Sequence, residues 1–358
     1  MSAAAWDDGD FRARLETTLA DFLDAQSAVL APLGPDAARL LDGARAAVRG
    51  GKRLRAAFCW WGYRALRPHP SPEEERAVLR ACAALELLHA SALAHDDVMD
   101  ASDTRRGRPS AHRALEAEHR SAGWRGDAAQ YGVAGAILLG DLMLGWAEEL
   151  LGACGLPPAQ VLAGHRVFAL CRTEVIAGQF LDVSVQARAH ADVDAAMTVL
   201  RYKSAKYSIE RPLQVGAALA GGDADRLEAL SRVGLPLGEA FQLRDDLLGV
   251  FGDPAVTGKP AGDDLVEGKR TVLVALALDA ADPAAARELD AALGTPLTPD
   301  GVARLRAVIE RSGAREQVEQ VIDALVERAL AALEDAPVDD GARAVLRQLA
   351  DAATRRTL

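Results

Sequence analysis

Aromatic residues are scarce: Phe, Trp and Tyr make up 4% of the 358 residues, although half of the chain is apolar. Sheet cores draw heavily on aromatic and β-branched side chains, so a core assembled mainly from Ala, Leu and Val excludes most sheet architectures and suits closely packed helices. Cysteine is sparse too. Cys59, Cys82, Cys154 and Cys171 are scattered without a C-x-x-C pair and sit among apolar neighbours, which argues against a disulfide framework and against a zinc site. Positive charge is in deficit: 52 acidic residues against 41 Lys and Arg leave a net charge of −11. An acidic chain with no extended basic patch repels phosphate backbones, so no nucleic acid partner is expected. The opening residues, Met1-Ser-Ala-Ala-Ala-Trp-Asp-Asp, carry acid where a signal peptide needs positive charge, and the longest apolar stretches are interrupted by Asp141 or by Arg80 and Glu86. The expectation is a cytoplasmic protein without stable membrane insertion.

What is present is helical periodicity. Apolar residues recur three and four positions apart from Phe11 to Leu30, from Pro35 to Val48 and from Arg76 to His95. Further helical stretches run from about Ala128 to Leu151, Pro158 to Arg188, Val193 to Leu219 and Asp225 to Val250. The segment from Phe251 to Lys269 holds too many glycines and prolines for a helix and reads as a loop. From Thr271 onward the chain returns to Ala, Leu, Arg and Glu. No linker divides it, so one domain over 1–358 is expected, with a motif-bearing core at about 35–275 and C-terminal helices over 276–358.

Two acidic clusters close apolar helices. In His95-Asp96-Asp97-Val98-Met99-Asp100, helical spacing puts Asp96 and Asp100 on one face, one turn apart. Their charges repel, and the negative end of the helix dipole disfavours each by roughly 0.3–1 kcal/mol, so the arrangement asks for a cation. Hard oxygen ligands that leave room for water and phosphate fit Mg²⁺ better than zinc or copper. A second pair, Asp245-Asp246, ends another long apolar helix. One such pair usually marks a solvated helix face; two, each closing an apolar helix, point to metal. Basic residues answer them: Gly50-Gly51-Lys52-Arg53-Leu54-Arg55 opens an early helix, Arg105-Arg106-Gly107 follows the first acidic cluster, and Lys203, Lys259 and Lys269 fall in or beside breaker-rich turns. Paired glycines before a helix let backbone amides and basic side chains approach one anion.

In this order and spacing the motifs resemble those of the trans-isoprenyl diphosphate synthases, over roughly Gly50 to Thr271. Asp96 to Asp100 with Arg105-Arg106 is similar to the first aspartate-rich motif. Phe241-Gln242-Leu243-Arg244-Asp245-Asp246 is similar to the second, continued by Gly258-Lys259, Gly262-Asp263-Asp264-Leu265 and Gly268-Lys269-Arg270-Thr271. Gly50 to Arg55 resembles the homoallylic anion site, and Gly178-Gln179-Phe180-Leu181-Asp182 and Lys203-Ser204-Ala205-Lys206-Tyr207 resemble the intervening motifs. The resemblance implies an all-α isoprenoid synthase fold, antiparallel helices around a central apolar cavity, and a homodimer. It implies a Mg²⁺-dependent prenyltransferase that condenses isopentenyl diphosphate with an allylic diphosphate.

By the same resemblance Asp96, Asp100 and Asp245 would bind Mg²⁺, with Asp246 and Asp264 in support, and Asp97 would belong to the catalytic set. Arg105, Lys203, Lys259 and Lys269 would contact the allylic diphosphate. Gly51, Lys52, Arg55, His89 and Arg106 would hold isopentenyl diphosphate, and Gln179, Asp182, Ser204 and Gln242 would line the reacting carbon or order the metal shell. Two positions depart from the pattern: Ala56 stands where Pro is usual, and Gly249 where many members carry a third Asp, which would loosen the second metal shell. Ser91 and Ala92 are small where a bulky aromatic stops elongation at short products, with Leu87 and Leu88 one turn deeper as a floor. Geranylgeranyl diphosphate is therefore the expected product. Longer polyprenyl synthesis, class I terpene cyclisation and a silent regulatory subunit are the competing readings. The first aspartates, the second pair and the basic motif together speak against the last two.

Overall fold

The structure is a computed structural model and describes residues 5–189, 192–252 and 262–355. It is all-helical apart from one minimal hairpin, β1 (Thr104–Arg105) against β2 (Arg108–Pro109). Helices α1 (Phe11–Leu30), α2 (Pro35–Ala47), α3 (Leu54–Arg64) and α4 (Pro72–Met99) precede the hairpin. After it come α5 (Ala111–Ser121), α6 (Ala128–Gly152) and α7 (Pro158–Arg188). A nearly continuous helical run follows, made of α8 (Val193–Val199), a π-helical stretch over Leu200–Glu210 and α9 (Arg211–Leu219). Then come α10 (Ala224–Phe251), the single turn α11 (Asp263–Val266), α12 (Val272–Ala280), α13 (Pro283–Ala292), α14 (Pro299–Arg311), α15 (Ala314–Asp335) and α16 (Asp340–Thr354). The chain forms two compact units interleaved in sequence. The first is Met1–Val167 with Pro212–Asp223 and Val338–Val345; the second is Phe168–Arg211 with Ala224–Pro337 and Leu346–Leu358.

In the first unit α4 is the central helix, packed along α6 and against α1 and α3. Its start is written locally. Ser71 accepts a hydrogen bond from the Glu74 amide (3.2 Å), Glu74 returns one to the Ser71 amide (2.7 Å), and Pro72 occupies the first turn. The helix therefore begins ahead of Arg76, where apolar periodicity alone places it. Ala77 to Leu88 are buried on every side except at Arg80, as befits a core helix rather than an amphipathic surface one. All four cysteines are buried and reduced, and Trp60 and Trp61 are core residues.

In the second unit α10 packs against α15 and the π-helical stretch. Leu243, Leu247, Val250, Leu273, Ile309 and Ile322 belong to its core. Two sequence expectations change here. Lys203 lies within the helical run, not at a turn, because no Gly or Pro interrupts Val193 to Arg211 and the helix widens into π geometry instead of ending. Asp263–Val266 forms a helical turn inside the segment expected to be loop throughout, begun by Gly262 in the left-handed region (φ 75°).

Candidate active site

The basic motif of the first unit is a bent loop. Gly50 (φ 73°), Gly51 (φ 93°) and Arg53 (φ 56°) all have left-handed backbones, which turn the chain sharply into α3. Arg53 itself points inward: Nη1 donates to Glu86 (2.8 Å), Nη2 donates to the Val48 carbonyl (2.6 Å), and both charged side chains are at most 4% exposed. The buried pair pins the loop bearing Lys52 and Arg55 to α4. Truncating one partner strands the other charge in the core, which costs about 3–5 kcal/mol. Glu86→Ala is accordingly expected to lower unfolding free energy by that amount in urea titration, and a loss below about 1 kcal/mol would contradict a pair holding both charges.

Arg55 Nη1 lies 3.4 Å from His89 Nε2 on α4. Burial first, then the positive charges of Arg55, Arg106, Arg105 and Arg53, hold the His89 pKa well below the usual histidine value, so the ring is neutral at physiological pH. Arg106 is delivered by the hairpin, whose two-residue turn, Arg106 (φ 53°) and Gly107 (φ 71°), has the positive φ at both centres that a type I′ turn requires. Its Nη1 donates to the Arg49 carbonyl (3.1 Å). Its guanidinium lies so close to Gly51 that a Cβ there would fall 3.1 Å from Nη2. Lys52, Arg55, His89 and Arg106 are thus gathered around one loop, a concentration of positive charge that suits a diphosphate.

The first acidic motif ends α4. Asp100 caps the helix and its amide donates to the Asp96 carbonyl (2.8 Å), which confirms the one-turn spacing of these two residues. Asp97 turns the other way. It is 3% exposed and takes Nε of Arg105 at 2.8 Å as well as Nη2, while Arg105 Nη2 also reaches Asp96 at 3.3 Å. Burial pushes the Asp97 carboxyl up despite the pull of Arg105. Asp97 is therefore the residue that fixes Arg105, while Asp96 and Asp100 are half-buried at the helix end. Deeper in α4, Leu87, Leu88 and Ser91 are buried and Ala92 is half-buried.

In the second unit Lys203 donates to Asp182 (2.6 Å), and Gln186 donates to the same carboxylate oxygen (3.2 Å). The two intervening motifs thus meet through their charged members, with Gln179 one turn back on α7 and Ser204 next to Lys203. Behind them Lys206, Glu174, Glu210 and Arg211 form an internal ion-pair network. On α10, Gln242 donates to Asp246 (2.8 Å). Lys269 Nζ lies 3.3 Å from Asp264 and also pairs with Glu267. Burial, then the neighbouring charges of Asp264 and Asp245, push the Asp246 pKa up to about 8, against the stabilising bond from Gln242.

That shift has a sign. The unfolded Asp246 carboxyl titrates near 3.8 and the folded one near 8, so between these values the folded protein holds a proton that the unfolded chain has released. Its stabilising contribution is whole below the unfolded value and is lost as pH rises through the folded one, at up to about 1.4 kcal/mol per pH unit. Melting curves in EDTA from pH 5 to pH 8 are expected to fall more steeply for the wild type than for Asp246→Asn; equal slopes would contradict the assignment.

Among the described residues no three His, Cys, Asp or Glu side chains gather closely enough to enclose an ion alone. Each acidic motif, taken by itself, nevertheless offers only carboxylate oxygens, the donors that a hard divalent cation prefers. An ion there would complete its shell from water and phosphate. Lys259 lies outside the described residues. Glu86, Arg244 and Glu319 were missed by sequence reasoning. Glu86 carried a signal, as an acidic residue inside an apolar run. Arg244 did not: it donates through both terminal nitrogens to Glu319 (2.6 Å each) and through Nε to the Thr354 carbonyl (3.1 Å), anchoring the second motif's helix to distant parts of the chain.

An all-α chain with two acidic helix ends and a gathered set of basic residues defines an enzyme of diphosphate chemistry. A profile of the polyprenyl synthetase family matches residues 38–311. The geranylfarnesyl diphosphate synthase of Aeropyrum pernix is 32% identical over 306 residues, covering 84% of this chain and 89% of that one. The geranylgeranyl diphosphate synthase of Mycobacterium tuberculosis is 36% identical over 256 residues, covering 71% and 68%. A crystal structure of geranylgeranyl pyrophosphate synthase from Corynebacterium glutamicum, complexed with isoprenyl diphosphate and magnesium, superimposes with a TM-score of 0.94 at 45% identity over 97% of this chain and 99% of that one. The chain belongs to the polyprenyl synthetase family. It is a trans-prenyltransferase with the isoprenoid synthase fold, and its family acts on isopentenyl and allylic diphosphates, in general with a divalent metal.

Proposed function

We propose that this enzyme extends an allylic diphosphate with isopentenyl diphosphate as far as geranylgeranyl diphosphate, using Mg²⁺. The observation that carries the chain length is Ser91: a small, buried side chain (2% exposed) on α4, five residues before Asp96. Ala92 beside it is small as well, so the helix offers no bulk at that level, and Leu87 and Leu88 form the floor below. The similarity to enzymes named for geranylgeranyl products supports this reading. A longer product is the second reading, favoured by the likeness to the A. pernix enzyme. Purified protein incubated with isopentenyl diphosphate and each allylic primer, with products sized by mass spectrometry, decides between them. Farnesyl diphosphate as the end product would defeat both.

Asp96, Asp100 and Asp245 are the carboxylates assigned to hold Mg²⁺, which when bound neutralises charge building on the departing diphosphate. Asp97 fixes Arg105 and Gln242 orients Asp246. Arg105, Lys203, Lys269 and Lys259 supply donors to the allylic diphosphate, and for Lys203 this means exchanging the Asp182 carboxylate for phosphate oxygen. Lys52, Arg55 and Arg106 hold isopentenyl diphosphate, with neutral His89 donating one hydrogen bond without adding charge. Gln179, Ser204 and Tyr207 present dipoles to the allylic cation once the C–O bond has broken. The double bond of isopentenyl diphosphate then attacks, and the proton lost from its C2 is taken by the departing diphosphate.

The same proposal includes a cytoplasmic homodimer. Among the described residues two helices are long and apolar enough to cross a membrane, Pro72–Met99 and Ala128–Gly152; the first is 78% buried over its most apolar window, as a core helix should be, and the second only 28%. On α6, Ile137 and Leu138 are exposed; on α7 in the second unit, Leu170, Ile176 and Phe180 are exposed, Phe180 to 70%. Exposed apolar side chains of this kind suit contact with a second protein copy. Sedimentation at micromolar concentration measures the mass, and a monomer would refute the dimer.

A further inference from the structure

Gly249 stands where many resembling enzymes carry a third aspartate, and taken alone it reads as a defect of the second motif. The structure gives it another meaning. A Cβ placed on Gly249 would overlap Oδ2 of Asp264, 2.5 Å from its Cγ and 3.1 Å from its Oδ1. The space that a side chain on α10 would take is already filled by a carboxylate arriving from α11. Asp264 is held there from several directions. It is 9% exposed, its carbonyl accepts from the Lys269 amide (3.0 Å), its Oδ1 lies 3.3 Å from Lys269 Nζ, and the neighbouring Leu265 is fully buried in the core of the second unit. Asp246 lies one turn back from Gly249 on the same helix. A side chain at 249 would have to turn the Asp264 carboxylate out of a buried, paired position.

We propose that Gly249 and Asp264 work as a pair: the bare Cα at 249 admits the Asp264 carboxylate beside Asp246, so that α11 supplies the acidic group that a third aspartate on α10 supplies elsewhere. Gly249 is then a positioning residue that acts through Asp264, and adding the missing aspartate displaces a carboxylate instead of gaining one. The inference rests on the proposed reading of the second motif as a divalent-ion site, and it reverses the expectation that Gly249 loosens that site.

The test uses Mn²⁺ binding in the presence of inorganic pyrophosphate, followed by the electron paramagnetic resonance signal of free Mn²⁺, on the full chain. Gly249→Ala and Asp264→Asn are each expected to weaken Mn²⁺ binding roughly tenfold. The double variant is expected to be no weaker than Asp264→Asn alone, because both changes remove one carboxylate; unrelated effects would add. Gly249→Asp is expected to weaken binding, and Gly249→Asp combined with Asp264→Ala to bind more tightly than Asp264→Ala, since truncation at 264 vacates the space for the new carboxylate. This last variant guards against a folding defect at either site. Additive losses, or tighter binding by Gly249→Asp with Asp264 intact, would overturn the pairing while leaving the ion site in place. No Mn²⁺ binding by the wild type would overturn the reading of the motif and the pairing with it.

Discussion

Asp96→Ala and Asp245→Ala are each expected to lower turnover by roughly a thousandfold or more, equivalent to about 4 kcal/mol or more of lost transition-state stabilisation. Breaking the allylic C–O bond builds negative charge on the departing diphosphate. Lysines and arginines answer part of it, and Mg²⁺ held by these carboxylates would supply the remaining positive charge. Neither residue is part of the buried core: the Asp96 side chain is 18% exposed at the end of α4, and Asp245 is half-buried on α10. Circular dichroism and melting of both variants should therefore match the wild type while pyrophosphate release collapses. Retention of full turnover by the two variants would remove the metal from the mechanism. Asp97→Ala should behave differently, since Asp97 is buried against Arg105 and its loss disturbs the placement of that arginine.

Ser91→Phe is expected to shift the dominant product from geranylgeranyl to farnesyl diphosphate. The serine is buried on α4, the helix that packs most extensively along α6, so a ring in its place has little freedom to swing away. Forcing a prenyl unit past such bulk costs on the order of 2 kcal/mol, by comparison with overpacked cores, or about a thirtyfold change in the ratio of extension to release. Total condensation should change far less than the product ratio, because the diphosphate-binding residues are untouched. An unchanged chain-length distribution by mass spectrometry would show that Ser91 does not face the growing chain.

Much of this protein was legible in one dimension. The long helices follow from apolar periodicity, although that period alone places the start of α4 at Arg76 and not at Pro72. Asp96 and Asp100 fall one turn apart because the helical repeat makes them do so, and the basic residues cluster near glycines that permit left-handed turns at Gly50, Gly51 and Gly107. These are local properties, set by residues a few positions apart. Which of two adjacent charges turns inward is not local. Arg53 and Asp97 are buried while Lys52 is exposed and Asp96 half-buried, although each pair is alike in the sequence. The partners that decide the matter, Glu86 for Arg53 and Arg105 for Asp97, are brought close only by packing and by the hairpin.

The same holds where the sequence suggested the wrong setting. Lys203 lies on a π-helical stretch whose widening gives no sequence signal beyond the lack of breakers. Arg244 looks like one more charge of the second motif, yet it turns to Glu319 and the end of α16. Sequence by itself determined the helical class, the acidic and basic motifs and the family, because periodicity and spacing report on what lies along one element. Only the tertiary structure decided which charges pair inside, which are presented for binding, and that the gap at Gly249 is filled by Asp264. Burial and pairing depend on what another element brings to the same place, and no spacing within a single helix encodes that.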